Sequence, residues 1–364
     1  MSQEASKFGV TGTSYSGMPR GDHIAGIDSL RAIAALTVMF DHLGYLPSNL
    51  FEDHHGHVFA LIRLILNCFF NGPAAVIIFF VVSGFFIHLP QTRKNGELNI
   101  GRFYTRRFVR IGIPAFATVI AFKSLGLSRL TDLNNTVLWS VICEAIYYFL
   151  YPALLLLGQK FGWAKVVVVA YVMSFVLCVT HLGELKAHGN AYIALGWWTW
   201  LVGLPCWVVG CWLAENRQKF SFATSLRMWM IRLTILGLSV VLRVTKFHVH
   251  SAGASNCFTL NFFALPVTAW IGVELASSAK LGTSHLLEWI GKWSYSIYLM
   301  HPISTSLLAL VGIAELKNSE PYLLLRLAGS LVLAYCFFLV VEKPGHRLAI
   351  RLSRRAPTLS NALP

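Results

Sequence analysis

Ten stretches of this 364-residue chain are each apolar over about the length a helix needs to cross a bilayer. They run over approximately 27–47, 68–90, 108–127, 138–158, 163–182, 192–213, 228–244, 256–277, 286–311 and 322–342. In hydrocarbon every backbone N–H and C=O must be satisfied within the protein. Repeated stretches of this kind therefore confine the chain to a helix bundle. Composition agrees: 55% of residues are hydrophobic and 13% charged, against about 25% charged in soluble domains. The expected fold is all-α, a polytopic membrane helix bundle of about ten transmembrane helices. The third stretch is interrupted by Pro114 and flanked by Lys123, and His57 to Leu66 reads as a short interfacial helix.

Charge sets the expected orientation. One set of loops holds Arg93, Lys94, Arg102, Arg106, Arg107, Arg110, Lys160, Arg217, Lys219, Arg227 and Lys280, and the C-terminal segment adds five more basic residues. The opposite loops hold little beyond Arg129, Lys186, Lys246 and Lys317. The positive-inside rule then places both termini in the cytoplasm. The expected division is a flexible cytoplasmic tail over 1–22, a transmembrane domain over 23–346 and a basic cytoplasmic tail over 347–364. The net charge of +14 is accounted for by this loop bias, and no groove-reading or stacking motif accompanies it, so no nucleic-acid partner is expected. The seven cysteines mostly sit in apolar runs and read as small buried hydrophobes, not as a disulfide framework or zinc site. His54, His55 and His57 fit no standard zinc spacing, and no metal is expected.

Polar residues within spans are costly and commonly mark function. In "GIDSLRAIAALTVMFDHLGYLP", Arg31 and His42 are eleven positions apart. At about 100° per residue they share one helix face, about 16 Å apart along the axis, while Asp41 points about 100° away from His42. Glu144, in "LWSVICEAIYYFLYP", lies about 9 Å inside its span, at a depth expected to match that of His42. His301, in "WSYSIYLMHPI", is placed about 22 Å along the ninth span, again in the outer half, with a kink expected at Pro302. In "GRFYTRRFVRIGIP", Arg107 and Arg110 share a face and suit phosphates, or lipid headgroups. Ser83 and Gly84, in "FFVVSGFFIHL", suit close helix packing or a narrow ligand passage.

Together these stretches resemble the acyltransferase-3 family of integral membrane acyltransferases. The match runs through Arg31-x10-His42, "FFVVSGFFI", "FYTRRFVRIGIP", "LWSVICEAIYYFLYP" and "SYSIYLMHP", in that order. The resemblance implies transfer of an acyl group, most often acetyl, from cytoplasmic acetyl-CoA or another acyl-CoA. The implied acceptor is a hydroxyl of an envelope carbohydrate such as lipopolysaccharide O-antigen or exopolysaccharide, with macrolides or other small molecules as the alternative. It also implies a bacterial cytoplasmic (inner) membrane. Arg31, His42, Arg107, Arg110 and Glu144 match the family's functional positions, and Tyr298 and His301 match a late motif. Ala145 stands where the family usually has a second acid, and Cys143 where it has an apolar residue.

The expected mechanism uses Arg31, Ser83, Gly84, Arg102, Arg106, Arg107 and Arg110 for the donor. His42 is the expected general base, oriented by Glu144, with His301 or Asp41 as substitutes in that role. Tyr298 is an accessory. Direct transfer and an acyl-enzyme route both fit. A transporter or flippase also uses buried Arg, His and Glu, but the two halves show no matched pair of broken helices.

Overall fold

The computed structural model describes residues 26–43, 56–92, 98–127, 137–249, 251–310 and 320–355. The expected tail over 1–22, the loop residues His54, His55, Arg93, Lys94, Arg129 and Lys317, and positions 356–364 lie outside them. Among the described residues the regular structure is entirely helical. The helices are α1 (Ile27–Leu43), α2 (His57–Phe69), α3 (Gly72–Thr92), α4 (Ile100–Ser124), α5 (Leu138–Phe161), α6 (Trp163–Thr180) and α7 (Leu182–Ala187). They continue as α8 (Thr199–Asn216), α9 (Ser225–His248), α10 (Asn256–Leu281), α11 (His285–Gly291), α12 (Ser294–Leu310), α13 (Glu320–Phe337) and α14 (Lys343–Arg355). Seven helical stretches among the described residues are long and apolar enough to cross a membrane: 57–92, 138–161, 163–180, 196–219, 225–248, 256–278 and 324–355. The remaining apolar stretches are occupied by α1, α4 and α12. α1 and α12 have 17 residues each, and α4 carries four arginines in its first half. The chain is an integral membrane helix bundle.

Helices α3 and α8 form the centre. Glycines let their backbones meet: a Cβ on Gly84 would collide with the Trp207 carbonyl, and one on Gly210 with the Val81 carbonyl. Small residues allow such approach where no hydrophobic driving force between helices exists. Outer helices keep apolar faces uncovered, as Val168, Val169, Val172, Val176 and Val179 do on α6. Such a surface suits lipid. α9 is tied inward by two ion pairs. Arg232 holds Glu274 of α10 at 2.5 Å and 3.1 Å through two nitrogens, with Trp270 Nε1 donating to the same carboxylate at 3.1 Å. Arg243 pairs with Asp41 of α1.

Helix boundaries depart from the apolar runs where polar caps intervene. The second run starts at Gly72, not 68, because Asn71 breaks it. The Asn71 Oδ1 accepts the Ala74 N–H at 3.2 Å, and its Nδ2 donates to the Ser239 carbonyl at 2.9 Å. The ninth run is two helices. Ser294 Oγ donates to the Gly291 carbonyl at 2.9 Å, and Gly291 lies against the backbone of Asp28, where any Cβ would clash. His301 is consequently seven residues into α12, about 10 Å along it instead of 22 Å. α4 passes through Pro114 without ending and begins eight residues before the expected limit, which puts Arg102, Arg106, Arg107 and Arg110 on one continuous helix. The basic stretch from 347, expected as a tail, is helical to Arg355. Gly345, Ala349 and Ser353 bury a small-residue face, and Arg102 Nε of α4 donates to the Ser353 carbonyl at 3.2 Å.

Candidate active site

Two groups of polar residues are built on a shared set of helices. The first is a histidine pair. His42 Nδ1 lies 2.8 Å from His301 Nε2, with ring centroids 5.0 Å apart. His301 is fully buried, and its Nδ1 lies 3.1 Å from the Ile297 carbonyl one turn back. That carbonyl can only accept, so Nδ1 of His301 carries the proton. In the neutral ring Nε2 is then the acceptor, and the Nδ1–H of His42 donates to it. The order leaves the His42 Nε2 lone pair available, on a ring that is exposed. Sequence patterns cannot show such a tautomer; it follows from the contact.

Tyr298 sits one turn below His301. Its hydroxyl donates to the Val137 carbonyl at 2.9 Å and meets Ser140 Oγ at 2.6 Å. It thereby pins α12 to the start of α5. Asp41 takes no part in this pair. It accepts the Gly72 N–H at 3.2 Å and pairs with Arg243, so it braces α1 against α3 and α9.

The second group surrounds Glu144. Ser83 Oγ donates to Glu144 Oε1 at 2.5 Å, Tyr148 donates to the same oxygen, and Trp207 Nε1 donates to Ser83 Oγ at 3.2 Å. The expected partnership of Glu144 with His42 is therefore corrected. The depth estimate counted residues along one helix and ignored how far helices slide past each other. Gly84 is corrected too: the α8 backbone fills the space beside it, so only Ser83 of this pair faces the polar group. Cys143 is buried on another side of α5, beside Tyr147.

Arginines gather next to this group. Arg31 lies 3.7 Å from Asp28, with its guanidinium 5.6 Å from the Phe86 ring, and is in electrostatic range of Arg110, Glu144 and Tyr148. Arg107 is in range of Tyr148, Arg110, Arg106 and Glu144. Glu342, on a π-helical turn over Phe338–Glu342, accepts from Ser296 Oγ at 2.5 Å and lies within electrostatic range of Arg110 and Arg31. His346 of α14 lies within electrostatic range of the same arginines. Arg102 is turned to the α14 backbone, and Arg102 and Arg106 are exposed. Four arginines on two helices against few carboxylates form a site suited to a polyanion.

His42, His301, Glu144, Ser83 and the arginines stand out in the sequence, whereas Tyr148, Ser140, Ser296, Glu342 and His346 do not. Hydroxyls are too common in spans to stand out, and Glu342 and His346 look like the ordinary polar end of a last span.

The described residues form an integral membrane helix bundle that carries a histidine pair and, separately, a cluster of arginines. A family model described as an acyltransferase domain matches residues 24–341. The chain belongs to that acyltransferase family. It is 25% identical to the peptidoglycan O-acetyltransferase OatA of Listeria monocytogenes, over 88% of this chain and 56% of the relative. It is 31% identical to an uncharacterised protein of Haemophilus influenzae over 28% of this chain and 58% of that protein. The chain thus spans little more than half the length of these curated relatives. No solved structure matches it.

Proposed function

We propose that this protein is a membrane O-acyltransferase. It moves an acyl group, acetyl in the first instance, from acyl-CoA held at the arginine end to a hydroxyl presented at the histidine end. The acceptor is a hydroxyl of an envelope carbohydrate. Family membership and a peptidoglycan O-acetyltransferase among the relatives support this reading. Trp197 and Trp198, exposed before α8, offer aromatic faces on which a sugar ring stacks. The arginine end faces the cytoplasm, where acyl-CoA resides, in keeping with the excess of basic loops.

The observation that carries the mechanism is the His42–His301 contact. His42 Nε2 takes the acceptor O–H proton as that oxygen attacks the thioester carbon. The tetrahedral adduct then loses the thiolate, which takes the proton back from His42, so the step is balanced. His301 fixes the tautomer and shares the transient charge of the His42 imidazolium through the Nδ1–H bond, the part a carboxylate plays beside other catalytic histidines. The arginine cluster binds the donor's phosphates. Glu144, with Ser83 and Tyr148, forms a polar collar between phosphate and thioester through which the donor arm passes.

The test is transfer of radiolabelled acetyl from acetyl-CoA to glycan acceptors by purified protein in proteoliposomes. His42→Ala should cost about 10²–10⁴-fold in kcat, the usual contribution of a general base. Transfer at the wild-type rate by this variant would remove His42 from the chemistry.

A further inference from the structure

Away from both polar groups, the outer side of the bundle carries a groove between α9 and α10. The two helices are joined along one edge by the Arg232–Glu274 pair. On the adjoining side they stand apart over a cavity of about 660 Å³, bounded by Thr224, Arg227, Ile231 and Ile235 of α9 and by Pro266, Ala269 and Trp270 of α10. Helical spacing accounts for the division. Positions 224, 227, 231 and 235 fall on one face of α9, and Arg232 lies about 100° round from Ile231. Pro266 has no N–H for the carbonyl one turn back, and helices bend at such a residue. The walls are apolar. The Trp270 N–H is used by Glu274 at 3.1 Å, and the Thr234 hydroxyl, also on the groove, donates to the Met230 carbonyl at 2.8 Å.

One end of the groove is basic. Arg227 is exposed there and makes no ion pair among the described residues. The connection from α8 is held over the same end. Its Ala223 N–H donates to Ser277 Oγ of α10 at 2.9 Å, and exposed Lys280 of α10 places Nζ 4.9 Å from the Phe222 ring. Glu274 is already committed to Arg232 and Trp270, so the charge presented is positive. Length agrees with a membrane ligand. From Thr224 to Ile235 α9 rises about 16 Å, the depth of one leaflet in a hydrocarbon core of about 30 Å. Arg227 precedes the apolar run over 228–244 and so stands where the helix enters that layer. Leu226 and Met230, both exposed, border the open side of the groove.

We propose that the α9–α10 groove binds an anionic phospholipid, with its phosphate on Arg227 and one acyl chain lying along the groove toward Pro266. Arginine pairs with phosphate through charge and paired hydrogen bonds, and basic pockets between membrane helices take anionic headgroups in this way. An apolar chain fills the space that the Arg232–Glu274 edge and the bend at Pro266 keep open. A zwitterionic lipid brings its own cation beside the phosphate and gains less from Arg227. The site is independent of the acyl-transfer reading, since none of its residues belongs to the histidine or arginine groups described above.

The experiment titrates the purified, delipidated full-length protein in detergent with phosphatidylglycerol, or with phosphatidylcholine of the same acyl chains. Native mass spectrometry counts the lipid retained, and thermal unfolding checks that each variant is folded. Wild type should retain phosphatidylglycerol about fivefold more tightly than phosphatidylcholine, the gain expected from one basic side chain at a headgroup. Arg227→Gln should bring phosphatidylglycerol down to the phosphatidylcholine level. Ala269→Trp, at an exposed position on the groove wall, should fill the groove and weaken retention of both lipids. Thr234→Trp, on the facing wall, serves if that variant does not fold. Glycerol 3-phosphate, the anionic group without chains, should not compete. An undiminished phosphatidylglycerol preference in Arg227→Gln, or retention unmoved by a filled groove, overturns the site and leaves ordinary lipid contact at the surface. Competition by glycerol 3-phosphate at the affinity of the lipid overturns it in favour of a free-anion site.

Discussion

At the scale of single residues, the account turns on which nitrogen of His42 is free. His301 decides this by donating from Nδ1 to the Ile297 carbonyl and so accepting at Nε2 from His42. His301→Ala removes the acceptor, and kcat should fall about a hundredfold or more with donor KM little changed. His301→Gln keeps a side-chain oxygen able to accept from His42 and should retain more activity than the alanine variant. Equal kcat for the two, measured with saturating donor, would show that His301 only fills space. The face shared by Arg31 and His42 was legible from their eleven-residue spacing. That His42 is partnered by His301 and not by Glu144 was not, because spacing within one helix carries nothing about the register between helices.

At the scale of elements, small and charged residues govern how the helices meet. Gly84 sits on the α8 backbone, so Gly84→Val forces α3 and α8 apart. Overpacking of this kind costs about 1–3 kcal/mol or more and should appear as reduced thermal stability in detergent. Ser83→Ala, one position away but facing Glu144, should leave stability intact and act on turnover alone. Asp41 and Arg243 pair with side chains only 8% and 16% exposed. Asp41→Asn leaves a guanidinium with its charge unmatched, at a cost of about 3–5 kcal/mol, whereas the double variant Asp41→Asn with Arg243→Met should recover most of that loss. Thermal unfolding of the three proteins checks this; a double variant no better than the single one contradicts it. Apolar length located the main helices. It could not see the breaks at Asn71 and between Gly291 and Ser294, where one side chain satisfies a helix end that hydropathy reads as continuous. Nor could it see α14, whose basic composition resembles a tail until its Gly345, Ala349 and Ser353 face meets α4.

At the scale of the whole molecule, the two polar groups are built on one set of helices, and the proposed reaction needs both. The same helices serve each group. On α12, Ser296 touches Glu342 beside the arginines and His301 touches His42, five residues further along, about 7–8 Å of rise. α1 carries Arg31 and His42 in the same way. In the proposed reaction, a donor anchored by its phosphates extends its thioester along these helices toward His42. The residue types that make up each group, histidines in one and arginines in the other, were legible in the sequence. What required the fold was that the two groups share helices and that Glu144 and Glu342 belong with the arginines.

The central claim is a covalent transfer between two faces, and side-resolved labelling tests it most directly. Protein is reconstituted in sealed vesicles with one known orientation, radiolabelled acetyl-CoA is supplied to a single side, and glycan acceptor is supplied to the other. The account predicts acetylated glycan only when donor meets the arginine end and acceptor the histidine end, and none with His42→Ala. Glycan that crosses the membrane without acquiring label, or labelling independent of His42, would contradict it.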